Sequence, residues 1–211
     1  MTLSAWLSLL AICLLGAASP GPSLALVIRH TVTHGRAAGL VTAISHGLGV
    51  GVYALATALG LAAVLATRGA VFDAITLAGA GYLLWLGAGA LRATGEARIA
   101  TDTPSAGGPR SQRYRAAARD GLAMALLNPK IAVFFLALFS QFVAIDADTR
   151  TVALLAGTAT GVDAAWYATV ALGLSASGGA AWLRRHQRWI ERLTGVVLVG
   201  LALTTAASVI V

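Results

Sequence analysis

Three ionisable side chains stand inside long uncharged stretches of this chain. Lys130 interrupts the run Gly121–Ile145, Asp163 interrupts Thr151–Leu183, and His46 sits beside Ser45 within Ala37–Thr67. A lone charge at the centre of a bilayer costs about 2.5–3.5 kcal/mol on insertion scales, so such residues mark ion or substrate pathways, or pair with one another as structural ion pairs. A carboxylate in that setting can alternate between a lysine-bound charged form and a protonated neutral form, which is the chemistry of proton coupling. The expectation is therefore that Asp163 carries a proton and that Lys130 meets it near the midplane. His46 either titrates or contacts a small molecule, or serves packing through a hydrogen bond.

Two sets of backbone breakers lie close to these groups. The first uncharged run, Leu3–Ile28, contains Ser19-Pro20-Gly21-Pro22-Ser23, and the fourth contains Asn128-Pro129-Lys130. Proline removes a backbone donor and clashes with the preceding turn, leaving carbonyls without helical partners. In lipid such carbonyls persist only where protein or a water-filled cavity satisfies them. At 1.5 Å per residue, Pro20 lies about 13 Å from Arg29 and Pro129 about 15 Å from Arg119, so both breaks fall near mid-bilayer. Loosened carbonyls and the amides at Gly21 and Ser23 suit the two ends of a zwitterion. The candidate pathway is Ser19, Pro20, Gly21, Pro22, Ser23, His46, Asn128, Pro129, Lys130 and Asp163.

The elements that must hold these residues are membrane helices. Hydrophobic residues make up 58% of the 211, charged residues 11%, and the mean hydropathy is +0.81; soluble domains carry about 25% charged residues. Runs without charge predict six spans: Leu3–Ile28, Ala37–Thr67, Ala74–Leu91, Gly121–Ile145, Thr151–Leu183 and Leu193–Val211. Each meets the length of about 18 residues needed to cross the hydrocarbon. The first run lacks a basic leader, and Pro20 follows the small residues Ala17-Ala18-Ser19, so it reads as a retained span rather than a cleaved signal.

Basic residues orient the spans. The first, third and fifth connections hold twelve arginines and the second and fourth hold two, Arg68 and Arg150. The positive-inside rule then places the odd connections in the cytoplasm and both termini outside. The whole chain, 1–211, reads as one transporter domain: a first half of about 1–93, a cytoplasmic linker of about 94–118, and a second half of about 119–211. Tyr53 followed by Ala58-Leu59-Gly60-Leu61 echoes Tyr167 followed by Ala171-Leu172-Gly173-Leu174. Three spans per half force the second half to lie inverted, giving an all-α membrane protein of two inverted three-helix repeats with broken first and fourth helices. Gly35, Gly39, Ala43, Gly47 and Gly51, and likewise Gly157, Gly161, Ala165, Thr169, Gly173 and Ser177, form small-residue stripes expected at helix contacts. Trp85, Trp166, Trp182 and Trp189 read as interfacial anchors or packing groups.

Several motifs together resemble the LysE/RhtB family of amino-acid exporters. They are Ser19-Pro20-Gly21-Pro22-Ser23, Gly79-Ala80-Gly81-Tyr82-Leu83-Leu84-Trp85-Leu86-Gly87, and Leu127-Asn128-Pro129-Lys130 followed by Phe134-Phe135. The resemblance covers nearly the whole chain. It implies export of an amino acid or related small metabolite from a bacterial cytoplasm across the inner membrane, driven by the proton or another ion gradient, with no cofactor.

Other classes fit less well. Cys13 is the sole cysteine, which leaves neither a thiol relay nor a Cys/His zinc site. No GxSxG or HExxH motif supplies a hydrolase constellation, so no enzyme activity is expected. The net charge of +7 lies in short clusters between apolar runs rather than on an aromatic-interleaved face, which argues against nucleic acid. A metal-ion exporter of the same superfamily remains an alternative, though the spans are poor in hard ligands. A non-transporting membrane scaffold is another, and assembly into a homo-oligomer is compatible with the sequence.

Overall fold

The computed structural model describes residues 2–19, 21–66, 70–92, 109–139, 148–174 and 179–210. Every regular element among them is helical. In chain order they are α1 (Leu3–Ala18), α2 (Pro22–His34), α3 (Arg36–Ala66), α4 (Ala70–Arg92), α5 (Arg110–Leu127), α6 (Pro129–Phe139), α7 (Thr149–Leu174) and α8 (Gly179–Ile210).

Both proline motifs break the chain where the sequence places them. α1 and α2 meet at 62°, and α5 gives way to α6 at Asn128. Pro20 itself lies outside the described residues. Each second half-helix starts alike, with proline as its first residue, where a missing N–H costs nothing. Asn128 caps α6: its side-chain Oδ1 accepts from the Lys130 amide at 3.0 Å, and its carbonyl accepts from Ile131 at 3.0 Å. Gly21 begins α2 in an extended conformation and has no side chain to offer, so the amides of the first turn go uncapped.

Several boundaries differ from the sequence expectation. α5 starts at Arg110, inside the expected linker, because Arg, Ala and Gln after Pro109 are good helix formers even where they are too polar to suggest a span; residues 93–108 of that linker lie outside the described residues. α8 starts at Gly179 and carries the Arg184–Arg192 cluster on a continuous helix. Among the described residues, Arg36–Gly60 is the stretch of a single helix long and apolar enough to cross a membrane, and the bent pair α1 with α2 also qualifies when counted as one span.

The long helices pack in pairs, with the half-helices against them. α3 runs along α7, and α4 along α8; α3 also contacts α5 and α6, while α7 contacts α1 and α2; α4 meets α6, and α8 meets α1. Gly47 sits against Ala164 and Gly51 against Thr160, so α3 lies close on α7 as its small-residue stripe predicts. The stripe expected on α7 does not do this. Gly157, Gly161 and Gly173 have no neighbour within 4 Å of an added Cβ, and Thr160 and Ala164 make the contact instead. In a helix rich in Ala, Gly and Thr, a four-residue repeat of small residues runs along more than one face.

Two apolar clusters result. One gathers Leu9, Cys13, Val50, Ala54, Phe134, Phe135, Leu138, Phe139 and Leu155 at one end of the bundle. The other gathers Leu24, Val27, Ile28, Ala43, Tyr167, Val170 and Ala171 toward the opposite end. The polar residues of the sequence analysis lie between them.

Candidate functional site

The two breaks are bonded to each other. Lys130 Nζ donates to Ser19 Oγ at 2.8 Å, and Asn128 Nδ2 donates to Ser23 Oγ at 3.3 Å. In each contact a side chain from the start of α6 reaches the opposite break. Gly21 lies beside this contact, where a Cβ would meet Lys130 Nζ at an ordinary van der Waals distance of 3.7 Å.

From Ser23 the network continues into the long helices. Ser23 Oγ lies 2.9 Å from His46 Nε2, and His46 Nδ1 lies 2.7 Å from Asp163 Oδ2. Ser23, His46, Asn128 and Asp163 are all buried, at 7%, 1%, 8% and 7% exposure. The donors can be ordered in one direction. Asn128 gives N–H to Ser23, Ser23 gives O–H to a neutral His46 Nε2, and His46 Nδ1–H points at the Asp163 carboxylate. A charged histidine would donate from both nitrogens, and the Ser23 proton would then have to turn elsewhere. The Tyr167 ring stands edge-on to His46, with centroids 5.1 Å apart, and fixes the imidazole plane.

The expected meeting of Lys130 with Asp163 does not occur. Asp163 pairs with His46, on the neighbouring long helix, while the Lys130 ammonium is held at the break by Ser19. Sequence spacing gave both charges the same depth but carried no information on which face of the bundle each occupies. His46, for which packing was an equal expectation, is the hub instead.

These groups line one small cavity together with Cys13, Gly16, Val50, Phe134, Phe135 and Tyr167. Its free space is about 50 Å³, enough for water but too little for an amino acid with an extended side chain. The Phe134 ring lies on Gly16, where an added Cβ would come within 2.7 Å of it, and it closes the cavity on the side of the first apolar cluster. Eight of the ten expected pathway residues thus line one cavity; Pro129 supplies the first residue of α6 beside it, and Pro20 lies outside the described residues. Tyr167, read from sequence only as half of a repeat, belongs to the same wall.

A second polar group was missed. Asp120 on α5 accepts from His30 Nε2 at 3.3 Å and pairs with Arg29 at 3.7 Å, tying α2 to α5 near their charged ends. Asp120 sits just outside the uncharged run used to place the fourth span, so hydropathy gave it no weight. Among the described residues no three His, Cys, Asp or Glu side chains cluster as metal ligands.

Comparison with known proteins identifies the family. Residues 14–208 match the LysE type translocator family. A leucine efflux protein of Klebsiella pneumoniae is 31% identical over 64% of this chain, a match that spans 61% of that relative's length. An uncharacterized membrane protein of Escherichia coli, YahN, is 29% identical over 85% of this chain and 79% of its own. Another of Bacillus subtilis, YrhP, is 23% identical over 90% and 92%. No solved structure matches. The chain belongs to the LysE type translocator family of membrane proteins.

Proposed function

We propose that this protein is a secondary transporter that exports an amino acid or a closely related metabolite across the bacterial inner membrane, coupled to the proton gradient. The observation that carries the reading is the union of the two helix breaks around one small cavity, where the Lys130 ammonium lies beside the uncapped first turn of α2. An ammonium and uncapped helix-start amides together suit a carboxylate.

The rest of the cavity suits the other half of the task. Protonating the His46–Asp163 pair reverses the demand on Ser23: its hydroxyl stops donating to Nε2 and becomes an acceptor. Its own proton then turns toward the cavity, beside the Asn128 amide and the α2 amides. Proton occupancy and substrate binding thereby act on the same hydroxyl, and an antiporter needs such competition. The small free volume corresponds to an occluded form, which must open to each side in turn.

Six spans in two inverted repeats are the architecture we assign, with the N- and C-termini outside. The contacts of the two longest central helices support it, since α3 meets α5 and α6 of the second half while α7 meets α1 and α2 of the first. The repeats are the first half of about 1–93 and the second of about 119–211. A metal-ion exporter has less support, because His46 and Asp163 find no third ligand of their kind among the described residues. A scaffold has no use for a half-buried ammonium and a His–Asp pair at one cavity.

The name of the Klebsiella relative puts leucine in the first substrate panel. Cells loaded with a library of dipeptides, with and without this protein, should differ in the efflux of one or a few amino acids. Equal efflux of every amino acid would overturn the reading.

A further inference from the structure

A second cavity of about 350 Å³ adjoins the first and shares Ser19, Gly21, Pro22 and Lys130 with it. Its remaining walls come from the last turns of α4, with Trp85 and Arg92, and from α8, with Glu191 and Leu198. Arg92 ends α4, and Trp85 lies two turns deeper, about 10 Å along the helix. Leu198 stands two turns from Glu191 on α8 in the same way. The cavity walls thus carry a cation at the end of α4, apolar and aromatic surface from Trp85 and Leu198, and the Lys130 ammonium shared with the first cavity.

We infer that this cavity is the loading vestibule of the exporter, a weak waiting site for a zwitterionic amino acid with an apolar side chain; the inference rests on the export reading and on its orientation. The Arg92 guanidinium at the end of α4 suits the carboxylate end, and the buried Glu191 carboxylate gives the facing wall of α8 the opposite sign. Trp85 and Leu198 face the same space and offer an apolar surface to the side chain. The Lys130 ammonium is common to both cavities, so a carboxylate released by Arg92 meets a second cation before it reaches Ser19 and the start of α2. Because Arg92 lies at the charged end of α4, loading is from the cytoplasm. A phosphatidylethanolamine headgroup shares the zwitterionic chemistry, and the lipid arm of the test separates it.

The test uses the full chain in liposomes. Arg92→Gln and Trp85→Ala should each raise the half-saturating internal concentration about fivefold while leaving the maximal rate and its pH dependence unchanged, as loss of a waiting site demands. An unchanged half-saturating concentration in both variants overturns the vestibule but leaves export standing. An Ala90→Cys variant, compared with the parent that contains only Cys13, should react with a membrane-impermeant thiol reagent from the side bearing residues 100–110. The transported amino acid should slow that reaction equally with and without ethanolamine lipid. Labelling from the opposite side only, or protection by ethanolamine lipid and not by the amino acid, overturns the proposal. A parent protein that moves no amino acid counts against the export reading, and the labelling result still decides the vestibule.

Discussion

Lys130 Nζ and Ser19 Oγ are 2.8 Å apart across 111 residues of sequence, and that contact closes the two broken helices onto each other. It gives the only lysine of the chain a position at the junction of two cavities rather than in an ion pair with Asp163. On the proposed reading the substrate carboxylate and the coupling proton have separate partners, Lys130 for one and the His46–Asp163 pair for the other, with Ser23 and Asn128 between them.

Ser23→Ala tests that link. It removes the acceptor for Asn128 and the partner of His46 Nε2, while its small volume leaves the packing of α2 in place. A lost buried hydrogen-bond partner costs about 1–3 kcal/mol, on the order of ten- to a hundredfold in an equilibrium. Gradient-driven transport in proteoliposomes should fall by about that factor, with exchange of labelled for unlabelled substrate less affected. Equal loss of both would make Ser23 a substrate ligand only.

Glycine substitutions separate the packed faces from the open ones. Gly47→Val pushes a side chain onto Ala164, whose Cβ would stand 2.7 Å from the new one, and overpacking of this kind costs about 1–3 kcal/mol. Gly161→Val has no neighbour within 4 Å of its added Cβ. Melting in detergent should drop for the first variant and stay near the parent for the second. The reverse order would show that the α7 stripe is the packed face after all.

The start of α7 gives a pH prediction. Asp148 Oδ1 accepts from the Thr151 amide at 2.8 Å, and its bonds to the Thr151 hydroxyl and amide hold the carboxyl below its ordinary range. A depressed folded value contributes stability above the unfolded carboxylate range and loses it as the pH falls through the folded value. Asp148→Ala should therefore melt below the parent at neutral pH, and the gap should close on acidification. A gap that is constant with pH would remove the carboxylate from the cap.

Much of this arrangement is legible in the residues themselves, and the reason is physical. A proline pair and an isolated charge in an apolar run each need an unusual surrounding, so their types alone gather the site residues. Their partners are not legible, because depth along a helix is readable from spacing while azimuth is not. Lys130 turns to Ser19 while His46 on α3 faces Asp163 on α7, and this decides that Asp163 meets the imidazole. The helical start at Arg110 is hidden for another reason, since a polar helix leaves no trace in hydropathy.

Orientation is tested by reporters fused after Arg36, within 100–110 and after Arg188, which should report cytoplasm, and after Arg68 and Asp148, which should report the exterior. The arginine asymmetry of twelve to two motivates this. Arg68 and most of 100–110 lie outside the described residues, so the fusion data bear on them independently. A cytoplasmic signal from a fusion at Val211 would contradict the count of six spans.

Gradient-driven accumulation by Asp163→Asn in vesicles is the most direct measurement of the central claim, that one site at the two breaks binds the amino acid and holds the coupling proton. Asparagine keeps the size and a hydrogen bond to His46 but cannot cycle between charged and neutral forms. The variant should exchange labelled for unlabelled substrate at a rate near the parent's, yet fail to build a concentration difference when a proton gradient is imposed. Accumulation at the parental level with an unaltered pH dependence would contradict the account and return the His46–Asp163 pair to a purely structural role.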